Sequence, residues 1–360
     1  MFCDGTGQDG MIGTNAPTCS DDQTKFDDRM RQIVFYQSGV GSEANFTGEM
    51  HQTSWYIPSK IRDAYAFLAQ NFEAGDEILL FGGAYTVRKL AQLIDKIGLL
   101  ETENLGLFYQ IWRELVDGKP PTIPEKTRVT TIKCLGVWDT VGVKDEPAAL
   151  HIADTIVPSN VERALHAVSL QENRAEFSPT LFTLPSRSNQ ILKEGCSAYW
   201  FPGSNLGVGG SYEHHELADI ALFWMAGEIL NDSLFDFDEK FLLRSKQPAP
   251  RAPWGASIPH NAWNDTFMLW KNYSWVFTQQ TRLESGDITA TAQFHHSWVY
   301  APNDIPHDHM ITREILEKEF GHLTYQPLND WENERRLNWN SETVRATSST
   351  NPISLILASE

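Results

Sequence analysis

EILLFGGAYTVRKLAQLIDKIG, residues 77–98, is the stretch that decides the fold. Residues 78–81 form an uninterrupted apolar run of strand length, as expected where a strand is covered on both faces. Gly82 and Gly83 follow at once, and Ala84 onward reads as a helix stopped by Gly98. Working outward, Ser59 is expected to cap a helix. Ile61, Ala64, Tyr65, Leu68 and Phe72 then fall at three- and four-residue spacing and give it one apolar face. RQIVFYQSG (31–39) reads as a buried strand, and VTTIKCLGVWD (129–139) as another with Asp139 at its carboxyl end. A helix capped by Ser159 is expected to run to about Glu172 on the spacing of Val161, Leu165 and Val168. SAYWFPG (197–203) reads as a further strand leading into the glycine-rich GSNLGVGGSY (203–212), and ELADIALFWMAGEIL (216–230) as a buried helix. Strands alternating with helices imply an α/β fold, a doubly wound and mostly parallel sheet with right-handed crossovers.

Residues 1–245 carry this pattern and are expected to form the core. KQPAPRAPWGASIP (246–259) is a proline-rich connection, residues 260–340 an aromatic-rich lid or C-terminal region packed on the core, and the Ser/Thr/Asn-rich 341–360 a loose tail. The opening MFCDGTGQDG reads as the end of a strand running into a polar turn, cut short at Met1.

The chain has 360 residues, with 41% hydrophobic and 21% charged residues, which excludes a disordered class. Its net charge of −18 opposes binding to a phosphate backbone or an anionic bilayer, so no nucleic-acid partner is expected. No run approaches the ~20 apolar residues of a membrane span. No basic stretch precedes an apolar one near residue 1, so the expectation is a cytoplasmic protein without a transmembrane segment. The four cysteines, Cys3, Cys19, Cys134 and Cys196, form no CxxC pair and are expected as reduced thiols. His214-His215 and the HDH of 307–309 lack a third clustered ligand, so neither metal nor cofactor is expected.

In an open α/β sheet, chemistry sits beyond the carboxyl ends of the strands. Those ends carry Asp4 and Thr6, Gly82 and Gly83, Asp139, and the loop holding Asn205. Tyr85 lies in the first turn of the helix after the glycine pair, whose free N–H groups suit an anion or oxyanion. His295 and His296 follow the sheet elements, and Trp275 and Trp298 belong to an aromatic region suited to a bulky apolar ligand.

Five blocks in order resemble a known family: FCDGTGQDG (2–10), VFYQSGVG (34–41), IRDAYAFLAQNFEAGDEILLFG with GAYTVRKLAQLI (61–94), LGVWDTVG (135–142) and YWFPGSNLGVGGSYEHHELADIALFWM (199–225). They look like the catalytic domain of type VI secretion phospholipase effectors and related bacterial and fungal proteins. The resemblance implies an α/β-hydrolase-like fold and a serine lipid or ester hydrolase as ancestor. The departures lie at the chemistry. The family's elbow reads G-F-S-R-G-A-Y-T, whereas residues 82–86 read Gly82-Gly83-Ala84-Tyr85-Thr86 without the nucleophilic Ser. The family's F-P-G-x-H-x-D-x-G-G has Asn205 in place of His and Gly207 in place of Asp. Asn cannot take and return a proton near neutral pH, and without the Ser no acyl-enzyme forms.

Three functions remain open on this reading. The first is a repurposed, non-covalent acid/base enzyme (isomerase, cyclase or lyase) on a small apolar metabolite, in a setting such as fungal biosynthesis. In it Asp139 and His296, or His295, act as catalytic groups, while Asp4, Thr6, Gly82, Gly83, Tyr85, Asn205, Trp275 and Trp298 line the ligand site. The second is a catalytically dead pseudo-hydrolase that binds a lipid- or ester-like ligand. The third is a serine phospholipase or esterase whose recorded gene lacks a Ser-bearing piece between Gly82 and Gly83.

Overall fold

The computed structural model describes residues 1–3, 32–37, 53–82, 85–141, 155–183, 196–264, 278–306 and 309–340. The expectations placed on Asp4, Thr6, Gly83, Trp275, Cys19, His307 and the 341–360 tail lie outside these residues.

Ten strands occur among the described residues: β1 Phe2–Cys3, β2 Tyr36–Gln37, β3 Ile78–Gly82, β4 Leu99–Leu100, β5 Thr127–Arg128, β6 Ile132–Trp138, β7 Val161–Ser169, β8 Cys196–Phe201, β9 Gln293–His295 and β10 Thr324–Gln326. Eight make one sheet in the order β10-β9-β8-β7-β6-β3-β1-β2, and each pairing in it is parallel. β4 and β5 form a separate antiparallel pair. The helices are α1 Thr53–Asn71, α2 Tyr85–Ile97, α3 Phe108–Val116, α4 Asn205–Gly209, α5 Glu216–Asn231, α6 Glu239–Ser245, α7 Arg313–Phe320 and α8 Asp330–Leu337.

Side chains alternate across the sheet and build two cores. On one face Leu80, Leu135, Val137 and Ala164 pack with Ile61, Ala64 and Tyr65 of α1 and Val87, Leu90 and Ile94 of α2. On the other, Phe81, Cys134, Leu165, Ala167, Tyr199 and Phe201 meet Ile220, Phe223, Trp224 and Met225 of α5. The fold is therefore the α/β-hydrolase-like, doubly wound arrangement expected. Helix α5 is apolar nearly all round because sheet and helix α8 both cover it; Trp331 of α8 stands edge-on to Phe223.

Three elements differ from expectation. Residues 161–169 form β7, not a helix. Ser159 caps nothing; its hydroxyl donates to Asp95 Oδ1 at 2.6 Å. Helix α1 starts at Thr53 and runs through Ser59, so Ser59 is not its cap. The sheet also does not end with residue 245, since β9 and β10 extend it past β8 through the Trp200–Phe294 pairing. Trp298 lies fully buried in a third core cluster with Val168, Trp200 and Phe294, which makes it a core residue rather than the ligand face expected.

Candidate functional site

The parallel sheet delivers Gly82, Asp139, Ser169 and the loop before α4 to one edge, the carboxyl ends of β3, β6, β7 and β8. Gly82 lies opposite Cys3, and a Cβ there would fall on the Cys3 carbonyl oxygen, so only glycine lets β1 approach. Tyr85 opens α2 beside that corner, half-buried against the α1/α2 core, with the Lys89 ammonium 6.0 Å from its ring centroid.

Asp139 directly follows β6 and is the centre of the site. Its backbone N–H donates to Ala167 O at 2.7 Å, extending the ladder, and its φ of 37° places a non-glycine residue in the left-handed region. The side chain is 1% exposed. The Ser169 N–H donates to Oδ1 at 2.8 Å and the Ser169 hydroxyl to Oδ2 at 2.9 Å. Asn205 Nδ2 donates to Oδ2 at 2.8 Å and to the Asp139 carbonyl at 3.0 Å. Arg282 closes the set bidentately, Nη1 to Oδ1 at 2.6 Å and Nη2 to Oδ2 at 2.9 Å. Burial alone would push this carboxyl up. The Arg282 charge, the Arg282 hydrogen bonds and those from Ser169 N–H and Asn205 outweigh burial and hold it below the ordinary carboxylate range. Asp139 is thus a fully bonded carboxylate, held in its charged form at neutral pH.

Asn205 stands where the resembled family has His, and it rests directly on Asp139. Ser204 caps the short α4, accepting from Gly207 N–H at 3.3 Å, and Gly207 carries no side chain toward the site.

A second layer of buried polar groups surrounds this centre. Glu172 Oε1 accepts from Arg174 Nε at 2.7 Å and from the backbone N–H groups of Asn173 and Arg174. Its Oε2 accepts from Arg174 Nη2 at 2.8 Å and Asn205 N–H at 3.1 Å. The Arg174 guanidinium lies 3.6 Å from the Phe177 ring centroid. Gln171 Nε2 donates to Ile311 O, and Gln171 Oε1 accepts from Gly203 N–H, tying β7 to the loop before α4. Thr140 N–H donates to His166 Nε2 at 3.2 Å, which leaves the ring proton of the neutral imidazole on Nδ1. His166 is fully buried. Burial first, then the Arg88 and Arg282 charges, outweigh the Asp139 charge and lower it to about 3.

His295 and His296 do not join this site. β9 is three strand spacings from β6, about 14 Å, and His295 points to the α5 side, stacked on Phe201 at 4.3 Å. There the Ser297 N–H and hydroxyl both meet His295 Nδ1, at 3.3 and 2.9 Å, so Nδ1 accepts and Nε2 donates to Glu332 Oε1 at 2.9 Å. This Ser-His-Glu chain has the connectivity of a hydrolytic relay. All three residues are 0% exposed, so no scissile bond reaches the hydroxyl; Glu332 also closes the capping box of α8. The chain is a clasp between β9 and α8. His296 is part-exposed, 5.7 Å from Tyr300, with Arg336 and Glu332 as its charged neighbours. The expected acid/base pair of Asp139 with His296 is therefore not assembled.

Among the described residues no three His, Cys, Asp or Glu side chains group as metal ligands. His215 instead pairs with Asp219 at 2.9 Å. Sequence reading missed Ser169, Glu172, Arg174 and Arg282. SLQENR (169–174) did carry a signal, a polar run at the carboxyl end of a buried segment, hidden by reading that segment as a helix. Arg282 carried none, since it lies 143 residues from Asp139 along the chain.

Residues 1–228 match the family described as T6SS, phospholipase effector Tle1-like, catalytic domain. The uncharacterized protein YEL023C of Saccharomyces cerevisiae is 30% identical over 198 residues, covering 43% of this chain. The match takes in 28% of the yeast protein's length.

Proposed function

We propose that this chain, which belongs to the type VI secretion system phospholipase effector Tle1-like catalytic-domain family, is a non-hydrolysing member that binds a lipid- or ester-like small molecule and does not cleave it. The observation that carries this reading is the saturation of Asp139. A hydrolytic carboxylate must steady an imidazolium that appears during the reaction. Here five donors from Ser169, Asn205 and Arg282 already occupy it, and two of them belong to a permanent cation. Asn205 offers an amide that neither takes nor returns a proton at neutral pH. Residues 82–86 supply only Tyr85 and Thr86 as hydroxyls, with no Ser to form an acyl-enzyme. The lipid- or ester-like ligand class follows from kinship with a phospholipase effector family and is the part of the proposal resting on kinship alone.

The acid/base alternative needs a carboxylate with a free lone pair facing a titratable partner. Asp139 and His296 lack that relation, so no second enzymatic reading is favoured. The purified chain is to be tested against a panel of p-nitrophenyl esters and short-chain phospholipids, with thermal shift recorded in parallel. The expected result is no turnover above buffer and a saturable rise in Tm with one ligand class. Turnover abolished by Asp139→Asn would overturn the proposal.

A further inference from the structure

We infer that the relict site is a guanidinium socket, filled in cis by Arg282, through which segment 278–288 is fastened to the core. The inference rests on the reading that the site performs no hydrolysis. The socket has a floor, two walls and a lid. Asp139 is the floor and takes both Nη atoms. The Ser169 carbonyl accepts from Nη1, and the Phe177 carbonyl accepts from Nη2 at 2.8 Å. The lid is the Trp200 ring, whose centroid lies 5.8 Å from the guanidinium carbon. A planar fork with parallel donors satisfies this set, whereas an ammonium would meet one carboxylate oxygen at a time. Arg282 is 2% exposed, so the whole group is enclosed.

The segment bearing the plug is a turn closed by its own hydrogen bonds. Thr281 N–H and hydroxyl bond Glu284 Oε2 at 2.7 and 2.9 Å, and Asp287 and Ile288 N–H groups return to the Arg282 carbonyl at 3.0 and 3.2 Å. Its leading edge pairs with the core, where Ala175 N–H donates to Thr278 O and Gln280 N–H to Asn173 O, and its far end meets the core through the Ser178 hydroxyl on Asp287 Oδ2 at 3.4 Å and through buried Ile288. The segment also lies beyond residues 1–228, the part matching the family. A piece outside the family domain therefore inserts its cation into the domain's own acidic centre.

Arg282→Ala leaves a socket that free guanidinium fits. The expected loss in Tm is on the order of 10 °C, and guanidinium at about 50 mM restores part of it saturably. Sodium chloride at equal ionic strength does not, nor does guanidinium in the double variant Arg282→Ala with Asp139→Asn. Rescue that is equal in sodium chloride or in the double variant, or no Tm loss at all, overturns the inference. If Arg282→Ala does not fold, Asp139→Asn replaces it and hydrogen exchange reports on peptide 278–288. Faster exchange there than in β7 supports the socket; unchanged protection contradicts it. A wild-type chain that hydrolyses esters would defeat the functional reading while leaving the rescue result standing, so the two failures are separable.

Discussion

Asp139 shows how burial and pairing together decide what a carboxylate can do. Removing one partner of a buried, hydrogen-bonded ion pair costs about 3–5 kcal/mol, because the other charge is left unpaired. Its pH signature follows from the sign of the shift. The folded carboxyl lies below its unfolded value of about 3.9, so its contribution is complete above that value and is lost as pH falls through the folded one. Asp139→Asn should therefore lower Tm at pH 7 and flatten the dependence of Tm on pH below about 4; an unchanged acid limb would contradict the ion pair. His166 acts in a different window. Its folded value of about 3 lies under the 6.5 of a free imidazole, so the unfolded chain takes up the extra proton between them and stability falls as pH drops through that range. His166→Asn should remove that slope between pH 6.5 and 3 in a series of thermal melts. Cys196 is pushed up to about 11, chiefly by burial. Iodoacetamide at pH 8 should accordingly leave it unalkylated in the native state and modify it after unfolding, read by peptide mass.

At the scale of elements, β3, β6, β8, α2 and α5 were legible because each has one dominant local signal: a short apolar run, or a long apolar helix with a glycine stop. β7 was not. VERALHAVS holds helix-forming Glu, Arg, Ala and Leu, and Ser159 with Glu162 imitates a capping box. Val161, Leu165 and Val168 fit helical spacing, but all of Ala164–Ser169 is buried because both sheet faces are covered. Periodicity carries no information where every position faces a core. Tertiary pairing with β6 and β8 settles the matter, and it is invisible locally. The site was half legible for the same reason. Asp139, Gly82 and Asn205 sit at strand ends that sequence located, whereas Ser169 ends, and Glu172 follows, the strand it misread. Gly82 offers a sharp test of the β1–β3 contact. Gly82→Ala should cost about 1–3 kcal/mol through the collision with the Cys3 carbonyl, read as a lower denaturant midpoint; an unchanged midpoint would mean that β1 does not lie against β3.

Over the whole molecule, the parts beyond residue 245 complete the fold rather than decorate it. β9 covers the edge of β8, Arg282 neutralises Asp139, and α8 closes over α5. Trp339 is 2% exposed and stands edge-on to Trp254. Its carbonyl accepts from Lys246 Nζ and Arg251 Nε, and its indole N–H donates to Ala252 O at 2.8 Å. A chain ended at residue 245 should lose the cooperative thermal transition of the full chain, because it exposes the edge of β8 and leaves Asp139 buried without its cation. A truncated chain melting cooperatively at the same Tm would show these contacts to be dispensable.

On the proposed function, the α/β-hydrolase-like scaffold persists while its reaction centre has become a fixed ion pair. The most direct measurement is labelling of the folded, purified chain with a fluorophosphonate probe, read by intact mass beside an active serine hydrolase. The expected result is no mass increase on this chain under conditions that label the control completely. A single stoichiometric adduct on a serine, lost on unfolding or in Asp139→Asn, would contradict it.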